Sequence, residues 1–337
     1  MLTVIVGGFF GDEGKGKIAA YTSLAGDYHI AVRTGSINAG HTVVHCGKTY
    51  KLRCISAGFI NKNTRLVIPP GALIRLDVFL REVNELDVKD RIYVDYNTGI
   101  IEEGHVEREK RDNVLSAIGS TFQGVGAAMS DRVLRRLRLA RDFEVLKGFL
   151  ADTPLMINEE LDKGGKVLIE GAQGTFLSLY HGTYPYVTSR DTIASALLSE
   201  AGVGPKRVDA VIVVFKAYVT RVGSGPLENE LTREEIERMG WIEYGTVSGR
   251  PRRVAPFNVE LAKRAIMLNS ATQIAITRLD SLFKEAYGIK EWAKLPLEAR
   301  KWIENLENEL KRPITLIGTG EEVSHIIDRT KDLGVEI

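Results

Sequence analysis

An apolar run that breaks into closely spaced glycines constrains this chain more than any other feature. Leu2–Val6 is apolar and rich in β-branched residues. Glycines follow at 7, 8, 11, 14 and 16, and Ile18–Leu24 resumes with a helical pattern. The run predicts a buried parallel strand. Strand, glycine loop, then helix is the arrangement in which backbone N–H groups at a helix N-terminus cradle phosphate. Gly11 to Lys17 fits G-x-x-x-x-G-K, yet Ile18 stands where Ser or Thr would contact Mg²⁺. The metal then needs another ligand, and Asp12 inside the loop is the candidate. Gly11, Glu13, Gly14, Lys15, Gly16 and Lys17 are the candidate nucleotide-phosphate residues, with lysine supplying point charge to phosphate oxygens. Gly11, Gly14 and Gly16 do not give G-x-G-x-x-G, which argues against a dinucleotide fold.

The rest of the chain extends this opening into a predicted α/β fold. It should have a mostly parallel central sheet, flanking helices and a P-loop-NTPase-like loop after the first strand. Further predicted strands are Ile30–Arg33, Arg65–Ile68, Arg91–Asp95, Val167–Ile169, Ala210–Phe215, Gln273–Thr277 and Ile314–Ile317. Three of them run into polar or glycine-rich segments: Glu170–Gly174, Arg278–Asp280 and Gly318–Gly320. Ligands bind outside the carboxyl ends of parallel strands, so these ends predict one shared site. Ala299, Trp302, Ile303, Leu306 and Leu310 share one helical face, and Pro313 closes that helix. Ser130-Asp131 predicts the cap of a basic helix running to about Leu150. With no repeat or proline-rich linker, residues 1–337 read as a single domain with inserted loops.

Composition narrows the partners. The 337 residues carry 45 basic and 44 acidic side chains, for a formal net charge of +1. That balance gives no electrostatic case for nucleic acid or a membrane surface. No apolar run approaches the ~20 residues of a membrane helix, and the short Leu2–Val6 run lacks a signal peptide's basic lead. A soluble, cytoplasmic protein is expected. Cys46 and Cys54 are too few for a disulfide framework and are both expected to be buried thiols.

A second motif, Asn38-Ala39-Gly40-His41-Thr42, sets a histidine among small residues that let backbone approach a ligand. His41 suits donation to developing phosphate charge. Together, Gly11–Lys17 and Asn38–Thr42 closely resemble the adenylosuccinate synthetases. The resemblance continues through Glu170–Thr175, His181–Thr188, Lys216–Tyr218, Thr220–Pro226, Gly249–Arg253, Arg278–Asp280 and Gly318–Gly320, in one order along nearly the whole chain. It departs at Phe10, at Ser120–Gly124, at Pro251 and at Arg278.

The resemblance implies a GTP-dependent ligase joining L-aspartate to IMP through 6-phosphoryl-IMP, with Mg²⁺ as cofactor. Asp12 would be both base and metal ligand, Gly40 would offer its carbonyl to the metal, and His41 would stabilise the transferring phosphoryl group. GTP would also meet Thr42, Arg252, Arg278, Leu279, Asp280, Gly318, Thr319 and Gly320, with Asp280 accepting from guanine. IMP would meet Asn38, Thr121, Gln173, Thr188 and Arg250, and also Arg135 reaching across a homodimer. Aspartate would meet Thr246, Val247, Ser248, Gly249, Arg250 and Arg252. The rival class is a GTP-binding switch or scaffold without ligase activity. That class has no use for the Gln173, Thr188 and Arg250 set. An ATP-dependent ligase is disfavoured by Asp280, because a carboxylate cannot accept from adenine N1, itself an acceptor.

Overall fold

A computed structural model describes residues 1–245 and 249–336. Its centre is a ten-stranded sheet. In chain order the strands are β1 Leu2–Gly7, β2 Ile30–Arg33, β3 Arg65–Ile68, β4 Ile92–Asp95, β5 Leu150–Ala151, β6 Val167–Glu170, β7 Ala210–Lys216, β8 Gln273–Thr277, β9 Ile314–Gly318 and β10 Ile326–Asp328. Across the sheet they run β10-β9-β8-β7-β1-β6-β2-β3-β4-β5. Every pairing is parallel except β9 with β10, which is antiparallel. The predicted strands are all present. The sheet gains two more at its edges, β5 and β10, too short to carry a pattern of their own.

β1 is buried throughout, as a two-faced parallel strand must be. Val4 and Val6 join one core with Val213, Phe215, Leu197 and Ile303; Ile5 joins the other with Ile18, Ile212, Val214 and Phe79. Each core is the apolar contribution of helices on one side of the sheet, so alternation along β1 locks the two layers together. The chain moves from β1 to β2 on one side, returns to insert β6 between them, then builds β7 to β10 on the other. The carboxyl end of β1 therefore sits at a topological switch point, where parallel sheets leave a crevice.

The helix predicted near residue 300 spans Leu297–Leu310 and buries Ala299, Ile303, Leu306 and Leu310. It ends at Lys311 (φ 53°), two residues before Pro313. The basic helix predicted from Ser130 is corrected. The helix there is Val125–Val133, and 3₁₀ turns at Ala140–Asp142 and Glu144–Phe149 follow it. Gly124 begins that helix, and Glu109 caps it by accepting from Gly124 and Gly126 N–H at 2.7 and 2.6 Å. Asp131 is no cap: its carboxylate is held by Arg108 and His105. Its carbonyl accepts from Arg136 N–H at 2.8 Å, which closes the chain into a turn.

Cys54 is buried as expected, but Cys46 is exposed. The reason is a hairpin, His41–His45 with Lys48–Leu52, whose two turn residues are Cys46 and Gly47 at φ 51° and 75°. A type I′ hairpin turn has positive φ at both central residues, and such a turn stands in solvent.

Candidate active site

Helix α1, Lys15–Ala25, starts at Gly14 in the left-handed region, so the loop from Gly7 to Gly14 lies against the carboxyl end of β1. Buried Glu13 organises it. One carboxylate oxygen accepts from Phe9 and Gly11 N–H at 3.0 and 2.8 Å; the other accepts from Lys15 Nζ at 2.7 Å. Glu13 is thus turned into the loop's own backbone rather than outward. Asp12, at φ 63°, is partly exposed. A left-handed aspartate is uncommon. This one lies 2.9 Å from Arg252 Nε.

Both lie on a cavity of about 770 Å³ that opens at the switch point. Gly11, Asp12, Gly14, Lys15, Gly16 and Lys17 line it from the phosphate loop. Asn38, Gly40, His41 and Thr42 line it from the segment after β2. Thr121, Gln173, Thr188 and Arg250 line another wall, so the residues expected at IMP are brought together. Asn38 Nδ2 donates to Thr188 Oγ1 at 3.5 Å, and Arg250 donates to the Gly119 carbonyl at 2.8 Å. Gln173 takes a left-handed conformation at φ 68°. Beside it, a Cβ on Gly174 would come within 2.4 Å of Gly11 N, so only glycine lets this strand end meet the phosphate loop.

His41 is buried in a polar nest. Its Nδ1 hydrogen-bonds Glu170, and the Arg33 guanidinium lies 2.9 Å from Nδ1 and donates to Nε2 at 3.2 Å. Glu170 in turn accepts from Ser56 Oγ and Ala57 N–H at 2.6 and 2.7 Å. Burial, with Arg33 beside it, pushes the His41 pKa down to about 4 against the opposing pull of Glu170. His41 is therefore neutral near pH 7 and donates from Nδ1 to an ionised Glu170, whose pKa is lowered by His41 and Arg33 despite burial. A neutral imidazole held this way is a donor or acceptor of fixed orientation, not a floating cation.

At the opposite end, Lys17 Nζ donates to the carbonyls of Gly320 and His325 at 2.6 and 2.7 Å. Burial pushes its pKa down to about 7. Its ammonium is engaged by the loop after β9, so Lys17 ties the phosphate helix to that loop. Gly320 and Arg278 reach the cavity; Leu279, Asp280, Gly318 and Thr319 stand behind its lining. Asp280 nonetheless keeps a buried Oδ1 with no hydrogen-bond partner, and burial raises its pKa. It lies inside a short helix, Leu279–Leu282, rather than capping one. Gly249 lies outside the lining as well, and Thr246, Val247 and Ser248 lie outside the described residues. Arg135 is exposed, at φ 62°, on the turn after residue 133, and touches no part of this cavity.

Magnesium commonly binds one or two carboxylates together with phosphate oxygens and waters. No cluster of three or more His, Cys, Asp or Glu side chains suited to a metal exists among the described residues. Asp12 and Gly40 both line the cavity, and a carboxylate with a backbone carbonyl fits that sparse donor set. Sequence reasoning marked the strand ends at Glu170 and Lys216 but gave neither residue a role. It also missed Glu243, in an irregular segment that carries no signal at all.

The sequence pattern of the adenylosuccinate synthetase family matches residues 4–144 and 136–287. The adenylosuccinate synthetase of Archaeoglobus fulgidus is 50% identical over 333 residues, covering 98% of each chain. That of Methanocaldococcus jannaschii is 50% identical over 336 residues, covering 98% of this chain and 97% of its own. A fully ligated adenylosuccinate synthetase from Plasmodium falciparum superposes with a TM-score of 0.91 at 25% identity, covering 97% of this chain and 99% of its own. The succinoaminodeoxyadenylate synthetase of cyanophage S-2L, bound to dGMP and dATP, superposes at 0.81 with 25% identity, covering 99% and 97%. A glycine loop with an internal acid, a braced histidine and a cavity of about 770 Å³ at the switch point agree with these matches, and the chain belongs to the adenylosuccinate synthetase family.

Proposed function

We propose that this cavity performs the family's GTP-dependent ligation of aspartate to IMP, with Asp12 as the base. The observation that carries the reading is that Asp12, Lys15, His41, Gln173, Thr188 and Arg250 line one cavity. Oxygen on C6 of IMP is a poor leaving group, and phosphorylation makes it a good one. The oxygen gains nucleophilicity as N1–H is removed, so a carboxylate beside the purine serves as the base. O6 then takes the γ-phosphoryl group of GTP, and the aspartate amine displaces phosphate from C6. Positioning and charge stabilisation carry most of such a transfer. Lys15 holds phosphate oxygens once it leaves Glu13, and neutral His41 contributes an oriented dipole. Asp12 and the Gly40 carbonyl would hold Mg²⁺, which neutralises developing phosphate charge when bound. Asp280, with its unpartnered oxygen, would accept from guanine.

The remaining assignments belong to the same reading. Thr246, Val247, Ser248, Gly249, Arg250 and Arg252 are the residues proposed to receive aspartate. In this reading the chain is one domain, which a central sheet with strands from Leu2 to Asp328 supports. No helix among the described residues is long and apolar enough to cross a membrane. GTP and IMP are cytoplasmic pools, and we place the protein there. Arg135, exposed and away from its own cavity, completes a partner's IMP site in a homodimer.

The test is phosphate release from GTP that depends on both IMP and aspartate. Asp12→Asn keeps the shape and removes the base, so turnover should fall by about 10²–10⁴-fold, with the circular dichroism spectrum unchanged. A variant keeping more than a tenth of the activity removes Asp12 from the role. Phosphate release indifferent to IMP and aspartate would favour a GTP switch instead.

A further inference from the structure

Four cationic or donor side chains converge on one carboxylate at the edge of the cavity. One oxygen of Glu243 accepts from Lys216 Nζ at 2.9 Å and from Arg252; the other accepts from the Tyr218 hydroxyl and faces Arg278 at 3.7 Å. Lys216 ends β7, and Tyr218 begins the strand Tyr218–Arg221; both are buried in the sheet region. Two of the four partners are therefore fixed by rigid elements, and Glu243 has a seat that does not depend on Arg252. Burial alone would raise its pKa, but Lys216 and Arg252 outweigh that and hold it near 2.

Glu243 and Arg252 are paired a second time through the backbone. Arg252 N–H donates to the Glu243 carbonyl at 2.9 Å, Tyr244 and Pro251 form an antiparallel bridge, and Gly245 N–H donates to the Arg250 carbonyl at 2.9 Å. These contacts clasp residues 243–245 against 250–252 as a neck. On its other side, Arg252 approaches Asp12 with Nε at 2.9 Å, yet that Nε makes no aligned hydrogen bond. Arg252 thus sits between two anions, firmly held by one and loosely by the other.

We propose that Glu243 is a positioning residue: it keeps Arg252 and the neck of the aspartate loop seated while nucleotide and metal draw Asp12 away. The proposal rests on the synthetase reading above. Asp12 can then exchange a loose ion pair for its catalytic contacts, and Arg252 stays poised for anionic substrate groups instead of following it. Without Glu243, Arg252 would have only Asp12 to pair with, and the base would be masked.

The test uses the full chain with GTP, IMP and Mg²⁺ at saturation and aspartate varied. Glu243→Gln should lower kcat/KM for aspartate by about 10–100-fold, the size of effect that a misplaced positioning group produces, with KM for IMP unchanged. The loss should vanish in the Arg252→Ala background, because two residues acting through one contact are not additive. Additive losses, or an Arg252→Ala variant with unaltered kcat/KM for aspartate, overturn the proposal. Gln also leaves Lys216 buried without its counter-ion, which destabilises the fold. In Glu243→Gln/Lys216→Met the unfolding midpoint should return toward wild type while kcat/KM for aspartate stays low. Recovery of both would make Glu243 structural only. A wild-type protein without IMP- and aspartate-dependent turnover fails the synthetase reading itself; an active wild type beside a fully active Glu243→Gln fails only this one.

Discussion

At the scale of single residues, the site is a set of charges held away from their tasks by counter-charges. Lys15 is paired with Glu13 and Asp12 with Arg252, while neutral His41 is held by a hydrogen bond to Glu170. Such pairs keep ionisable groups in place at a modest cost of release, because each is replaced by a substrate contact of the same sign. Asp280 differs, since one of its oxygens has no partner and is buried. Two guanine N–H groups would satisfy it, and hydrogen bonds to a charged acceptor are worth about 1.5–3 kcal/mol. Asp280→Asn presents a donor where an acceptor is needed. It should lower the ratio of kcat/KM for GTP to that for XTP about tenfold or more, as each 1.4 kcal/mol is a factor of ten. An unchanged ratio would leave Asp280 as an ordinary helix residue. Asp12, His41 and Asp280 were legible in the sequence because each sits at a strand end or inside a glycine loop. Their pairings were not: Glu170 meets His41 across 129 positions and Arg252 meets Asp12 across 240, and only the folded chain brings them together.

At the scale of elements, α1 and the segment after β2 set the spacing between the glycine loop and His41, and Gly16 controls how closely they approach. Gly16 is helical, so propensity alone would favour alanine by about 1 kcal/mol. Its added Cβ, however, would stand 2.8 Å from His41 Cβ and 3.3 Å from Cγ. His41 cannot retreat, because Glu170 and Arg33 close the space behind it. The steric term decides: Gly16→Ala should destabilise the fold by about 1–3 kcal/mol. Turnover should fall together with stability, measured by thermal unfolding beside initial rates. A more stable, fully active variant would show that the two elements tolerate separation. The predicted strands all formed because buried parallel strands announce themselves as apolar runs. The hairpin at His41–Leu52, the pair Tyr218–Arg221 with Arg253–Pro256, and the short edge strands did not. Lys48–Leu52 reads Lys-Thr-Tyr-Lys-Leu, a solvent-facing pattern indistinguishable from a loop. The basic helix failed for a related reason: Ser130-Asp131 looks like a cap, but Asp131 is drawn to Arg108 on a neighbouring helix that the local sequence does not contain.

At the scale of the whole molecule, Arg135 tests whether one chain is enough. Subunits carrying Asp12→Ala and Arg135→Leu should each be nearly inactive as homodimers. After exchange of equal amounts, about half the dimers are mixed, and each has one site free of both lesions, so roughly a quarter of wild-type activity should return. Exchange without recovery, checked by tagged subunits, would confine Arg135 to its own surface. The sheet order carries a different consequence, for synthesis. β1 is made first but lies between β6 and β7, and β7 ends at Lys216. At about 5–20 residues per second, some 10–40 s separate the emergence of β1 from that of its last neighbour. Until β6 emerges both edges of this apolar strand are unpaired, and one stays so until β7, the condition most prone to association with other nascent chains. The amino terminus that identifies this chain is therefore the part that a chaperone would have to hold longest, and nucleotide could begin to stabilise the protein only after nearly two-thirds of it had left the ribosome.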